Sequence, residues 1–427
     1  MGPEAEPEPV LPGPGALLLT GARLADGRTV DVRLSGDRIE AVGTAGSLRA
    51  AERLDLSGYL LLPAPVEPHA HLDEALTAGS GAPAGSGGAA SSGVPAGEAE
   101  EDLRRRITEA ALTHLGYGST AVRTHVLVSA ATGLTRLDAA LAAARDLRGL
   151  MDLQIIAMPD PSPNLTGDRG REERALLRQA ARAGAHALGG RPGAAPAPQE
   201  ALAALLELAG TCDLPLDLHL DGPRLLSSGG PRLLSSLPPG SVLTLAGPLP
   251  PPAVSTLADA AAPGSAATGT GSRFGIVVLP QGGCCVGPSG PGGFDAATAR
   301  RLAESGLPLA AGSGALRDAA RPVGRADPIE AAFLLAAATG LSARAAYDTV
   351  APAARAILGL PGCAVEPGRP ADLLALRGDC LDAALSGGHS RVVLHAGRVV
   401  SRTSAVREYA DTTTAAVPRQ VRPLGPA

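Results

Sequence analysis

The chain has 427 residues, 45% of them hydrophobic and 19% charged, enough to bury a large core in an extended α/β unit. A formal net charge of −5, no block of basic residues and only 2% aromatics exclude the basic stripe or stacking platform of a nucleic-acid binder. No apolar run approaches the roughly 18 residues of a membrane span, and five cysteines, an odd number, do not make a disulfide framework.

Tryptophan and lysine are absent, so all 37 basic residues are arginine and the core must be built from Ala, Leu and Val. With the abundant Ala, Gly and Pro, this reads as drift in a GC-rich genome rather than as function. Residues 1–15 are acidic and Pro-rich, without the basic-then-apolar order of a signal peptide. A disordered tail there and a cytoplasmic protein are expected.

In chain order, LLLTGARLADGRTVDVRLSGDRIEAVG gives short apolar runs broken by Gly and Asp, which predicts a small antiparallel sheet within residues 16–62. The middle, residues 63–360, alternates strand-like and helix-like segments. Strand candidates are YLLLPAPVEP, STAVRTHVLV, DLQIIAMP, AHALGG, LPLDLHL, SVLTLAG, FGIVVLP and LPLAAGS. Helical stretches such as EDLRRRITEAALTHLG and PQEALAALLELAG lie between them. Such alternation implies parallel βαβ units, and eight strands favour a closed (β/α)8 TIM-type barrel. The segment 361–405, with ADLLAL and RVVLHAG, supplies further strands, so both ends of the chain are expected to build one small β-sandwich domain. GSGAPAGSGGAASSGVPAG is a Gly/Ser-rich insertion, and residues 406–427 read as a second disordered tail.

The strongest chemical signal is PVEPHAHLDEALTAG, where a strand runs into His69-x-His71. Alternate residues share a face, so two imidazoles can reach one metal ion from the C-terminal end of a barrel strand. The motif resembles the first-strand signature of the cytosine deaminase branch of the amidohydrolases, close to F-V-E-P-H-x-H-L-D-K-A. STAVRTHVLVS, GAHALGGRP and the terminal β segments resemble other parts of that family, over about residues 17–402.

The resemblance implies one divalent ion, zinc or iron, held by His69, His71 and a fifth-strand histidine, which His219 in LDLHLDG matches. Three nitrogens leave a position for water, whose pKa the ion would lower. It implies a small heterocyclic substrate and leaves open a homo-oligomer. The alternative for the three histidines is that they are relics in a vacant pocket.

The chain departs from the family at the acid–base positions. Gly222 stands where a glutamate shuttles protons, Ala246 where a sixth-strand histidine works on the water, and Gly314 where an eighth-strand aspartate ligates metal and acts as base. Asp160 replaces a glutamine, and Leu127 an acid. Asp160, Asp221 and Asp318 are candidate substitute bases, although Asp221 and Asp318 also read as loop-organising acids. His125 is either a group supporting the ligands or another interior polar residue. Asp73 and Glu74 read as loop structure, His114 and His186 as structural. The vicinal pair Cys284–Cys285 reads as small rim residues, with a redox or metal role as the alternative. Two functions follow: a metal-dependent hydrolase acting on a non-peptide C–N bond, as in cytosine deamination by a metal-activated hydroxide, or an inactive barrel kept for ligand or partner binding.

Overall fold

In the computed structural model the described residues are 15–78, 98–159, 165–220, 223–226, 230–245, 248–261, 274–283, 286–287, 290–291, 294–319 and 321–405. The tails expected at 1–15 and 406–427 fall outside these ranges, apart from Gly15. So do most of the Gly/Ser-rich insertion and Cys284–Cys285.

The N-terminal strands are β1 (Leu17–Arg23), β2 (Thr29–Ser35), β3 (Arg38–Thr44), β4 (Glu52–Asp55) and β5 (Tyr59–Pro63). Then come β6 (Glu67–Ala70), β7 (Ala121–Val128), β8 (Asp152–Pro159), β9 (Ala187–Gly190), β10 (Leu216–Leu220), β11 (Ser241–Leu245) and β12 (Phe274–Val278). A two-residue antiparallel pair, β13 (Val286–Gly287) and β14 (Gly290–Pro291), precedes β15 (Leu309–Ala311). The chain finishes with β16 (Leu373–Arg377), β17 (Arg391–His395) and β18 (Arg398–Thr403).

Strands β6 to β12 and β15 form a parallel sheet of eight in sequence order, the barrel expected from the alternating pattern. Its strands are buried on both faces, as in LDLHL of β10, because helices cover the outside and side chains fill the inside. The covering helices carry ordinary start and stop signals. Pro328–Thr339 begins at Asp327, whose carboxylate accepts from the Ile329 and Glu330 N–H groups, and ends at Gly340 in the left-handed region.

The terminal segments form one sheet, in the order β18-β17-β16-β5-β1-β2-β3 with β4 on β1, around a core of its own that includes Leu19, Val32, Leu61, Leu373 and Leu394. Buried ion pairs tie this sheet to the barrel. Arg391 meets Asp327 through two 2.8 Å contacts, and Asp372 accepts from Arg355 at 2.8 Å and lies 3.0 Å from His395.

The run YLLLPAPVEP, expected as one barrel strand, is two. Tyr59–Pro63 pairs with β16 in the terminal sheet, and only Glu67–Ala70 enters the barrel. Pro65 has no N–H for a ladder, and the flanking N–H groups of Ala64 and Val66 go to Asp372 O and Val350 O instead.

The seam between β15 and β6 is pinned by Glu67. Its buried carboxylate accepts from the His69 N–H at 3.1 Å, from the Ser313 N–H at 2.9 Å, and from the Ser313 hydroxyl. A Cβ at Gly312 would fall 2.5 Å from Glu67 Oε1, so this position has room only for glycine. Among the described residues no helix is long and apolar enough to cross a membrane.

Candidate metal centre

Strand alternation puts His69 and the position of His71 on one side of β6, Arg123 and His125 on one side of β7, and Asp217 and His219 on one side of β10. A bulge in the β6–β7 register between Glu67 and Ala70 re-aims the end of the first strand. The result is a cluster of four buried imidazoles, with every pair of ring centroids between 4.3 and 5.3 Å apart.

Within it, ligand atoms of His69, His71 and His219 all lie within 4.8 Å of one another. His71 Nε2 and His219 Nε2 face each other at 3.2 Å. Two nitrogens bound tetrahedrally to zinc at about 2.05 Å would be separated by about 3.3 Å, so this spacing fits a shared divalent ion. All three rings are pushed well below the usual imidazole range, first by burial and then by the influence of His125, with Arg191 acting on His71 and His219. Neutral imidazole is the form that ligates metal.

Thr244 on β11 is the register neighbour of His219, and its Oγ1 lies 2.9 Å from His69 Nδ1. A ligand role for His69 Nε2 puts the ring proton on Nδ1, which then donates to that hydroxyl. Below the rings, Asp217 Oδ1 lies 3.1 Å from His125 Nε2, and Oδ2 accepts from Arg123 Nη1 at 3.0 Å. Burial pushes the Asp217 carboxyl up, but His125 and Arg123 outweigh it and hold it below the ordinary carboxylate value. Arg123 also donates twice to Gln154 Oε1, at 3.0 and 2.8 Å.

The structure therefore brings together His69, His71, His125 and His219. Asp318 is buried and accepts from the Arg321 N–H at 2.8 Å, closing the loop after β15. Asp160, Asp221, Gly222 and Ala246 lie outside the described residues. Gly314 is described and has φ 76°, a left-handed conformation that side chains rarely adopt. Asp73 accepts from the Leu127 N–H and from Arg136, a loop-holding role. His186 Nδ1 accepts from the Ile155 N–H. His114 is buried 3.9 Å from Glu67. Burial pushes its ring down to about 3 and the Glu67 carboxyl up to about 7, the latter against the pull of Ser313.

Sequence reasoning missed Asp217, Arg123 and Thr244. The first two were open to detection, since each stands two residues before a cluster histidine on the same strand face. Thr244 depends on the register of neighbouring strands, which local sequence does not display.

No family model matches the chain. Among curated relatives, N-isopropylammelide isopropyl amidohydrolase of Pseudomonas sp. (strain ADP) is 26% identical over 151 residues, covering 33% of this chain and 38% of that protein. Dihydroorotase of Leifsonia xyli subsp. xyli is 44% identical over 57 residues, 13% of each. The chain thus matches well under half the length of either. Solved structures align over nearly all of it. N-isopropylammelide isopropylaminohydrolase from Burkholderia multivorans ATCC 17616 is 24% identical with a TM-score of 0.71, covering 91% of this chain and 98% of that one. The 5-methylcytosine deaminase from Klebsiella pneumoniae, liganded with 5-fluorocytosine, is 21% identical with a TM-score of 0.74, covering 92% and 100%. In its barrel, its terminal sheet and its overall match, the chain shares the fold of these two solved structures.

Proposed function

We propose that this protein is a metal-dependent hydrolase acting on a non-peptide C–N bond of a small cyclic substrate, with His69, His71 and His219 as ligands of one zinc or iron ion. The observation that carries the reading is the facing pair His71 Nε2 and His219 Nε2, 3.2 Å apart and buried beside His69. Support also comes from the amidohydrolase and deaminase names of the similar proteins, whose substrates include cyclic nitrogen compounds. When bound, the ion supplies Lewis acidity and lowers the pKa of water. Thr244 holds the His69 ring, and burial keeps the three imidazoles neutral. Asp160, Asp221 and Asp318 are the candidates for moving protons, and His125 supports the ligands from beneath.

Deamination of cytosine by the family's usual apparatus is disfavoured, because Gly222, Ala246 and Gly314 carry no proton-transfer atoms. Each general acid or base ordinarily contributes roughly 10²–10⁴-fold. That loss, and the left-handed backbone at Gly314, favour a second reading in which the barrel binds a ligand or partner without turnover. An ammonia-release screen over pyrimidines and triazines, on zinc- or iron-loaded protein, separates the two. Release abolished by His219→Ala supports the hydrolase. Metal-loaded protein with no turnover on any ring, and a biological activity that survives His69→Ala, support the second reading.

A further inference from the structure

Two donor sets meet at His69: His69 with His71 and His219, and His69 with His125 and Asp217. The second is poorly suited to hold another cation. Arg123 Nη1 already lies 3.0 Å from Asp217 Oδ2, and its positive charge would repel a metal there. Thr244 occupies His69 Nδ1, so this ring has no second nitrogen to give.

The second set instead forms a continuous path of polar contacts beneath the rings. Leu358 O accepts from Gln154 Nε2 at 2.9 Å, Gln154 Oε1 accepts from Arg123, Arg123 donates to Asp217, and Asp217 meets His125 at 3.1 Å. His125 then packs on His69, with ring centroids 4.3 Å apart. Barrel interiors are ordinarily filled by Val, Ile and Leu, and a buried ion pair is costly to desolvate. A charged plug directly under a histidine cluster therefore points to geometry rather than to stability. Gly314, with its left-handed backbone, offers no carboxylate.

We infer that Asp217, clamped by Arg123, is a positioning residue of the metal centre: it fixes His125 against His69 and so sets the arrangement in which the three ligand histidines meet a divalent ion. This rests on the metal-site reading above. Groups behind metal ligands typically govern affinity by 10–100-fold.

The test is titration of chelator-stripped, full-length protein with zinc, and with cobalt(II) for its visible absorption bands. Wild-type protein is expected to take up one equivalent, and His219→Ala to lose that uptake. Asp217→Asn is expected to bind zinc about 10–100-fold more weakly, with shifted cobalt bands. Because Asp217→Asn strands a buried guanidinium, the double variant Arg123→Gln/Asp217→Asn is measured beside it. The same weakening in the double variant, with cooperative unfolding retained, supports positioning. Wild-type affinity and unchanged cobalt bands in a folded Asp217→Asn or double variant would overturn the inference while leaving the three-histidine site standing. Failure of the wild type to bind either ion would overturn both.

Discussion

Replacing Gly314 tests whether the eighth-strand position still has room for the side chain it lacks. Its φ is 76°, and a Cβ there would lie 3.3 Å from Gly282 O and 3.4 Å from Leu279 Cδ1. An L-residue in this region costs roughly 1–2 kcal/mol, and the contact with a backbone oxygen requires a further shift of a few tenths of an ångström. Gly314→Ala isolates that backbone cost, so it should destabilise the metal-free protein by about 1–2 kcal/mol in urea unfolding. Gly314→Asp adds the burial of a carboxylate near Glu67 and should lose more than alanine does. Restoring the aspartate is therefore expected to give no ammonia release beyond that of the parent chain. Wild-type stability in Gly314→Ala would refute the strain argument. A gain of activity in Gly314→Asp would show that the position lost only its side chain, not its geometry.

Other consequences are as direct. His114 has its folded value pushed down to about 3 by burial. The neutral ring stabilises the fold fully above the unfolded value, and that contribution is lost as pH falls below it. Its share of the loss between pH 7 and pH 5 is about 2 kcal/mol. His114→Leu should remove that share from the pH dependence of unfolding in metal-stripped protein; an unchanged dependence would contradict the burial argument. Thr244→Val deletes the contact to His69 Nδ1 and should weaken zinc binding about 10-fold, with Thr244→Ser restoring it; equal affinity in the valine variant would show that the ring is held by packing alone.

Much of this was legible in the sequence, for physical reasons that differ by element. His69 and His71 stand at the end of an apolar strand, and period-two alternation alone puts them on one side. His219 lies in a fully buried strand, LDLHL, where an imidazole needs a polar neighbour or a ligand. The same alternation, carried one step deeper, would have found Arg123 and Asp217. Other features were hidden because they depend on tertiary placement. The break at Pro65 depends on where the N–H groups of Ala64 and Val66 find acceptors, and these come from distant parts of the chain. The pairing of Thr244 with His69 depends on β10–β11 register. Glycine at 314 is plain in the sequence, but its left-handed backbone is set by the loop that closes the barrel.

His69, His71 and His219 are the proposed ligands of one divalent metal ion. Metal content by mass spectrometry, on wild-type protein and the His71→Ala/His219→Ala variant purified without chelator and reloaded with zinc, tests that assignment most directly. About one equivalent is expected in the wild type and none retained by the variant. A folded wild-type protein that retains no metal, or a variant that retains as much, would contradict it.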